Sequence, residues 1–201
     1  MEKKEYLKEL VEDMHSVVLA TLDEDGKPST RVVDMMLSDG MTVYFLTAKG
    51  KELYGQLMDQ QYVSISGILG KKSITIRGNV LNIGQDKLEE IFAKNTYMQK
   101  IYPEDKRDIL EVFRIEKGSG EFFDISDPAR IERDSFVIGE GDVPVGGYYV
   151  NDACILCGTC YAVCPQQCID TAKNPVVIDQ DHCLRCGACI GVCPVNAIEK
   201  K

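Results

Sequence analysis

The sequence predicts a mainly β protein with flanking helices, followed by a small α+β domain. Three observations support this prediction. Short β-branched and apolar runs alternate with turn residues between residues 16 and 125, and helical patterns occur only before and between those runs. All nine cysteines fall after residue 153, in one short tail. Strands this closely spaced, with helices only at the edges, favour a small barrel in the first part of the chain.

Apolar residues at helical spacing predict the helices. In residues 2–14, one apolar stripe lies opposite charged side chains, which is typical of an amphipathic helix. A second helix is predicted after Lys51, where Leu53 and Leu57 share one face. Residues 86–94 form a third, because an aspartate precedes an apolar side there.

Runs of β-branched and aromatic residues, bounded by turn chemistry, predict the strands. The last two are expected to form a hairpin around Gly118-Ser119-Gly120, where two glycines flank a serine. The predicted strands are residues 16–22, 29–37, 41–47, 62–68, 73–81, 109–116 and 121–125.

The stretch GEGDVPVGG at residues 139–147 is rich in glycine. No strand–loop–helix pattern surrounds it, so it predicts a flexible tether rather than a nucleotide-binding loop. The predicted organisation is therefore a first domain at residues 1–138, a linker at residues 139–147 and a second domain at residues 148–201.

The cysteines form two copies of one pattern, C-x2-C-x2-C-x3-C-P, at residues 154–165 and 183–194. Each cysteine of the first copy recurs 29 residues later in the second. A constant offset over this many positions indicates a duplicated unit. A disulfide framework is disfavoured because no apolar signal segment begins the chain. Zinc sites use paired C-x2-C hooks rather than triplets with a fourth cysteine before proline.

Over about residues 147–201 the chain resembles the bacterial 2[4Fe–4S] ferredoxins, whose cysteine spacing it has. In that family the fourth cysteine of each run binds the cluster held by the other run. The resemblance therefore implies two [4Fe–4S] clusters. One has the ligands Cys154, Cys157, Cys160 and Cys193, and the other has Cys183, Cys186, Cys189 and Cys164.

Two further residues of the tail are given minor roles. Cys168 aligns with Ala197 of the other repeat, so we expect it to be a small packing residue rather than a ligand. His182 directly precedes Cys183 and is expected to influence the surroundings of that cluster without binding iron.

The chain is acidic, with 23 Lys and Arg against 32 Asp and Glu and a formal net charge of −9 at pH 7. Nucleic acid is therefore not an expected partner, whereas a redox protein with a basic docking surface is. No apolar stretch has the length of a membrane span, so no membrane association is expected. The clustered cysteines predict a reducing, cytoplasmic location.

The first domain has its own resemblance, carried by residues 18–34 (VLATLDEDGKPSTRVVD) and 39–57 (DGMTVYFLTAKGKELYGQL). In the succession of these motifs, over about residues 5–127, the chain resembles the pyridoxamine 5′-phosphate oxidase-like split-barrel flavoproteins. The resemblance implies a six-stranded antiparallel split β-barrel of the FMN-binding type. It also implies a homodimer with FMN at the subunit interface.

Motif by motif, the resemblance assigns FMN contacts to seven residues. Charged donors and hydroxyls at a barrel edge suit a flavin phosphate, and a helix N-terminus favours anions. Matched to the family, one strand lies along the flavin ring, three residues surround the phosphate and a helix glutamine lies near the ring. These residues are Arg31, Val32 and Val33 for the strand, Thr47, Lys49 and Lys51 for the phosphate, and Gln56 for the helix.

The sequence also departs from the family. The oxidases that give the family its name carry a C-terminal substrate segment with arginine and histidine, and here the cysteine-rich tail takes that place. Oxidation of the vitamin itself is therefore not expected. No Ser/His/Asp set or carboxylate pair stands out, so no catalytic residue is assigned. His15, at the end of the first helix, is expected to be structural or a minor flavin neighbour.

The leading hypothesis is an FMN- and iron–sulfur-dependent oxidoreductase that passes electrons between the clusters and FMN, to or from a small acceptor or a redox partner protein. An alternative is a non-catalytic electron carrier or redox or oxygen sensor whose barrel only dimerises. A third possibility places haem or a deazaflavin in the barrel. No G-x-G-x-x-G follows a strand, so NAD(P)H use has no support in the sequence.

Overall fold

The fold is organised around a curled antiparallel sheet of eight strands, in the order β2-β1-β5-β6-β7-β4-β3, with β8 beside β7. The structure is a computed structural model and describes residues 2–143 and 146–201. The strands are β1 (Ser16–Leu22), β2 (Pro28–Asp34), β3 (Leu37–Ser38), β4 (Val43–Ala48), β5 (Tyr62–Leu69), β6 (Lys72–Asn82), β7 (Leu110–Asp124) and β8 (Glu132–Ile138). The predicted fold class, mainly β with flanking helices, is confirmed.

Helices flank this sheet. They are α1 (Lys3–Glu9), a π-helical continuation (Leu10–Met14), α2 (Glu52–Gln60), α3 (Leu88–Lys94), α4 (Met98–Ile101) and a 3₁₀ turn (Glu104–Lys106). The predicted strand at residues 16–22 has the observed bounds. In that strand Val17, Leu19 and Thr21 are buried and alternate with more exposed residues, as a half-buried strand requires.

One predicted feature is wrong. Residues 109–116 and 121–125 were expected to form a hairpin, but β7 runs through Gly118-Ser119-Gly120 without a turn. The reason is a close approach of two backbones. A Cβ at Gly118 would lie 2.8 Å from the Cα of Gly78 on β6, and closer still to the carbonyl oxygen of Arg77. Glycine in a strand interior marks such a contact as often as a turn.

Other elements differ from the prediction or were not predicted. The second strand ends at Asp34 rather than residue 37, because the amide of Met35 donates to His15 O and that of Met36 to Tyr44 O. Helix α4 and strand β8 were not predicted. The short α4 matters for the core, since its Met98 packs beside Phe92 of α3 and Val112 of β7.

Contacts divide the chain into two compact units. The first comprises residues up to 121 and 135–143, and the second comprises residues 122–134 together with the C-terminal tail. Residues 122–134, which the predicted boundaries assigned to the first domain, thus pack with the tail. The boundaries at 138 and 148 stay a prediction, and residues 144 and 145 of the predicted linker lie outside the described residues.

The second unit is built from two similar halves. Its elements are β9 (Tyr148–Val150), α5 (Thr159–Ala162), β10 (Ile169–Asp170), β11 (Val177–Ile178), α6 (Ala188–Gly191) and β12 (Ile198–Lys200). Strand β9 pairs with β12, and β10 pairs with β11, both antiparallel. The first and last strands of the tail are therefore joined, which closes the two halves into one small core.

In the described part of the chain, no helix combines the length and the apolar character that a bilayer crossing requires.

The glycine contact between β6 and β7 yields a stability prediction. We expect Gly118→Ala to lower the free energy of unfolding by about 1–3 kcal/mol, the usual cost of overpacking, because the added methyl group meets backbone atoms that cannot turn away. Gly55→Ala is the control. Nothing lies within 4 Å of a Cβ at Gly55, in the middle of α2, so alanine should stabilise the protein by about 0.5–1 kcal/mol. Urea unfolding of both variants measures this, and equal stability of the two would contradict the close contact.

Candidate functional site

A cleft of 480 Å³ lies where the end of β2, the end of β4 and the start of α2 come together. Its other wall comes from α4, through Met98 and Ile101. The volume is within the range of sites that hold a small molecule or cofactor. Backbone pairing positions Thr47 at the cleft. Strand β4 pairs with β7 from Tyr44 to Ala48, and Thr47 belongs to the next-to-last residue pair.

The cleft brings together five of the seven predicted FMN contacts. Arg31, Val32, Val33, Thr47 and Lys51 all line it. The other two, Lys49 and Gln56, do not. Lys49 forms an ion pair of 3.0 Å with Glu111, which also accepts a hydrogen bond from Tyr54. That cation is therefore already engaged outside the cleft.

Thr47 carries the clearest sign of a missing partner. Its side chain is buried, with 3% of its surface exposed, yet its Oγ1 has no hydrogen-bond partner. A buried hydroxyl without a partner costs free energy, and such groups are rare unless a ligand or water completes them. Because the hydroxyl lies on the cleft, a bound anion could accept its hydrogen bond. This donor fits a flavin phosphate.

The Arg31 guanidinium is held in place by two hydroxyl groups. Its Nη1 donates to Thr21 Oγ1 and its Nη2 to Ser29 Oγ, each at 2.6 Å. Thr21 in turn donates to Oε1 of the buried Gln56 at 2.5 Å. Gln56 therefore acts on the cleft through Thr21 and Arg31 rather than by lining it. This series of hydrogen bonds fixes the positive charge of Arg31 at the edge of the cleft before any ligand binds.

A second positive charge lies at the start of α2. Lys51 is the residue just before α2 and has an extended backbone. Glu52 and Leu53, in the first turn of α2, also line the cleft. No ion-pair partner of Lys51 is found among residues 2–143 and 146–201. The amides at a helix N-terminus and a nearby lysine both favour an anion. Arg31, Thr47 and Lys51 thus form one set of donors suited to a phosphate group.

Sequence reasoning missed an acidic group on the same cleft. Asp34 ends β2 and accepts hydrogen bonds from Ser16 at 2.6 Å and from Tyr97 at 2.7 Å. Burial acts to raise the pKa of Asp34, but these two bonds and the nearby His15 ring outweigh it, so that the pKa lies below its ordinary value. Burial and the Asp34 carboxylate raise the pKa of Tyr97. Asp34 is therefore a fixed negative charge at the cleft edge.

His15, predicted to be structural or a minor neighbour of the flavin, holds this acidic group from outside the cleft. Its Nε2 lies 3.1 Å from Tyr97 Oη and 3.5 Å from Asp34 Oδ2. Its backbone has φ +56°, a strained conformation for histidine, where the π-helical segment ends. The contact of His15 with Tyr97 could not be predicted from the sequence, since 82 residues separate the two.

The tail holds two similar small cavities, the first lined by four thiols and the second by five. Each has a volume of about 20 Å³. Gly158 and Gly187, with φ of +75° and +77°, start the short helices beside them. We call the four thiols of the first cavity the first set, which is Cys154, Cys157, Cys160 and Cys193. The second set is Cys183, Cys186, Cys189 and Cys164, which line the second cavity together with Cys168.

The first cavity takes three cysteines from one repeat and Cys193 from the other, and the second takes three from the second repeat and both Cys164 and Cys168 from the first. The predicted ligand sets stay a prediction. Within the described residues no three His, Cys, Asp or Glu side chains converge as they would on a single metal ion. The thiols surround a space instead. A cavity walled by four thiols, with apolar side chains between them, fits an iron–sulfur cluster.

The thiols differ in their protonation chemistry. All nine cysteines are free. A hydrogen bond from Thr159 Oγ1 lowers the pKa of Cys157, whereas burial raises the pKa of Cys160 and of Cys189. Metal ligation requires thiolates, so loading a cavity releases protons from its buried thiols.

Cys168 lies on the second cavity rather than away from it. Its Sγ is 3.6 Å from Sγ of Cys164, and burial raises its pKa. It is thus a neutral thiol in contact with one of the second set. Ala197 lines the first cavity in the equivalent place.

Comparison with known proteins agrees with both resemblances, that of the first part of the chain and that of the cysteine-rich tail. Residues 4–119 match the family model described as pyridoxamine 5′-phosphate oxidase, and residues 147–194 match that of a 4Fe–4S dicluster domain. A pyridoxine/pyridoxamine 5′-phosphate oxidase of Bacteroides thetaiotaomicron is 26% identical over 94 residues, which are 45% of this chain and 44% of that protein. The chain thus aligns with less than half of that relative.

Solved structures share the fold of the first unit. A NimC/NimA family protein of Clostridium acetobutylicum has a TM-score of 0.56 and 22% identity, over 67% of this chain and 92% of that one. PhzG of Burkholderia lata, in complex with tetrahydrophenazine-1-carboxylic acid, has a TM-score of 0.50 and 18% identity, over 67% and 81%. The family match covers more than half of the sequence. The chain therefore belongs to the pyridoxamine 5′-phosphate oxidase family, with a 4Fe–4S dicluster domain behind its FMN-binding domain.

Proposed function

We propose that the protein is a redox flavoprotein in which electrons pass between two [4Fe–4S] clusters and FMN, and from there to or from a small acceptor. The observation that carries this proposal is the presence in one chain of two thiol-lined cavities and a cleft with an unpartnered buried hydroxyl. FMN supplies exchange of one or two electrons, whereas each cluster exchanges one.

In the cleft, the phosphate of FMN would be held by Thr47, Lys51 and Arg31. The hydroxyl donates a hydrogen bond, and the two cations supply charge-assisted ones. Val32 and Val33 offer strand backbone and apolar surface to the ring. Lys49 is a weaker candidate than the sequence suggests, because Glu111 already neutralises it at 3.0 Å. Gln56 supports Arg31 through Thr21.

The protein's own groups also limit what can bind. Asp34 carries a fixed negative charge on the same cleft as the cations Arg31 and Lys51. An anionic group is therefore attracted to the two cations and repelled by Asp34. This asymmetry favours a ligand whose charge is confined to one group, as the charge of FMN is confined to its phosphate.

We propose that FMN is shared between two copies of the chain, as the family resemblance implies. Apolar side chains on one face of β1, β2 and β5 support a dimer, because Val18, Val32 and Ile68 are 47%, 68% and 71% exposed. Val18 and Val32 are direct cross-strand partners. An apolar strip of this kind on a sheet face marks a protein contact. We place the protein in the cytoplasm, where thiolates stay reduced.

The first prediction concerns Thr47. Replacing it with valine removes the hydroxyl without changing the shape of the side chain. We expect Thr47→Val to weaken FMN binding by about tenfold or more, the usual loss for a hydrogen bond to a charged group. The FMN-free protein should become no less stable, since a buried hydroxyl without a partner is lost. Fluorescence titration of FMN-free protein and thermal unfolding measure the two effects.

Thr75→Val is the matched control, because its hydroxyl lies on β6 and contacts Ser66 at 3.3 Å, away from the cleft. Its FMN affinity should equal that of the unchanged protein. Unaltered FMN binding by Thr47→Val would show that the phosphate is held elsewhere. Haem or a deazaflavin in place of FMN would be recognised from the absorption spectrum of the purified protein.

The second prediction concerns the electron route. In protein purified without oxygen, we expect dithionite to reduce the clusters first and to bleach the flavin through them. Cys157→Ser and Cys186→Ser each remove one thiol, from the first and the second set, and should slow flavin bleaching in stopped-flow traces. The unchanged protein is the control. Identical flavin traces for all variants would rule out this route, and absence of flavin would favour the carrier or sensor.

The third prediction concerns assembly. Val18→Glu places a charge in the exposed apolar strip of β1, and burying it in an interface without a partner is costly. We expect this variant to shift from dimer to monomer in sedimentation equilibrium and to lose FMN with it. Lys27→Glu, in the exposed turn between β1 and β2, is the control and should remain dimeric. A monomeric unchanged protein, or a dimeric Val18→Glu, would refute the proposed interface.

A further inference from the structure

The segment of residues 128–133, which we call the strap, is bound to the tail by hydrogen bonds at both of its ends. Gln166 holds it twice, because the amide of Ile131 donates to Oε1 at 2.9 Å and Nε2 donates to Pro128 O at 3.0 Å. The Ile131 side chain is 2% exposed. The strap is therefore an integral part of the second unit.

The other end of the strap is bound next to Cys183. His182 donates from Nδ1 to Ile131 O at 2.7 Å, and the amide of Arg133 donates to Asp181 O at 2.8 Å. Arg130 reaches the Nε2 of the same His182. Because Nδ1 faces a carbonyl oxygen, it carries the ring proton, and Nε2 accepts from the guanidinium. The strap thus brings the positive charge of Arg130 to this position.

Both attachments belong to the same set of thiols. Gln166 follows Cys164 by two residues and lines the second cavity, and His182 directly precedes Cys183. The strap is therefore anchored beside two cysteines of the second set, Cys164 and Cys183.

The internal repeat shows that this arrangement has no counterpart at the first cavity. With the constant offset of 29 residues, four polar residues near the second set correspond to apolar residues near the first. Apolar residues cannot make the hydrogen bonds or carry the charge of their counterparts. The pairs are His182 with Ala153, Arg185 with Leu156, Gln166 with Val195, and Cys168 with Ala197.

Arg185 adds a permanent charge inside the ligand loop itself. It lies between Cys183 and Cys186, is half-buried, and its backbone amide donates to Cys183 Sγ at 3.3 Å. In the first repeat Leu156 has the same left-handed backbone, with φ +58° against +56° for Arg185. The two loops therefore share one conformation and differ in charge.

Four features act in the opposite direction. The Thr159 hydroxyl donates to Cys157 Sγ of the first set at 3.3 Å, and its counterpart is Ala188. The amide of Ala197 donates to Cys193 Sγ of the same set at 3.2 Å. Asp179 lies 3.8 Å from His182 and reduces the local positive charge, and Cys154 is more open to solvent than Cys183. Against these, the second set has two cations nearby, Arg130 and Arg185, and the Cys168 thiol beside Cys164.

We propose that the two clusters are inequivalent and that the cluster held by the second set has the higher reduction potential. This proposal rests on the proposed presence of a cluster in each cavity. Adding an electron makes a cluster more negative, so nearby cations and hydrogen-bond donors stabilise its reduced form. Electrons therefore collect on the second cluster, and the first is the stronger reductant. Arg185 and the strap residue Arg130 are the residues that raise the reduction potential of the second cluster above that of the first.

The test is a redox titration of the whole protein, with its flavin, followed by electron paramagnetic resonance. The unchanged protein should show two separate one-electron waves. In Arg185→Leu, which introduces the residue of the first repeat, the higher wave should move down by about 59 mV or more, a tenfold change in its one-electron equilibrium constant. In Leu156→Arg, the lower wave should move up, since Leu156 is exposed and accepts a charged side chain.

Iron and sulfide per chain are measured on every sample. Fewer than eight irons in the unchanged protein would overturn the proposed two-cluster function itself, whereas full loading with a single wave would overturn only the inequivalence. A fully loaded Arg185→Leu in which the lower wave moves, or neither moves, would reverse or remove the assignment. If Arg185→Leu does not bind both clusters, the Leu156→Arg variant provides the test. An unchanged lower reduction potential in Leu156→Arg would refute the role of charge in the ligand loop.

Discussion

The structure of the tail depends on one constraint, that each thiol-lined cavity needs cysteines from both repeats. Cys193 completes the first cavity and Cys164 the second. Neither repeat can therefore close a cavity without the other, and the pairing of β9 with β12 holds the two halves together. This interdependence explains how so short a segment can support a site with only a small apolar core of its own.

In the first unit, the hydrogen-bond donors of the cleft are oriented before a ligand binds. The β4–β7 ladder brings Thr47 to the cleft as a buried hydroxyl without a partner, while Thr21 and Ser29 fix the Arg31 guanidinium. Donors that are already desolvated and oriented bind an anion without further ordering, so the unfilled hydrogen bond is tolerated where a ligand completes it. Asp34, with its lowered pKa, gives the cleft a second charge of opposite sign.

The two halves of the tail show how a duplicated motif acquires distinct environments. The ligand loops keep one backbone, with Leu156 and Arg185 in the same left-handed conformation. The side chains around them differ, and the strap is anchored beside the second set. Since potentials of iron–sulfur centres respond to charge and hydrogen bonds, a few substitutions at matched positions are enough to separate two otherwise equal centres.

Local patterns in the sequence determined much of this. The cysteine spacing predicted two ligand sets that each draw on both repeats, and cysteines of both repeats line each cavity. Alternation in residues 16–22 determined that strand. Only tertiary structure decided the rest. Gly118 continues a strand because another glycine, Gly78, lies against it, and Asp34 meets Tyr97 across 63 residues. Residues 122–134 join the tail through hydrogen bonds from distant side chains. Contacts between residues remote in sequence leave no periodic trace, so they emerge only when the chain has folded.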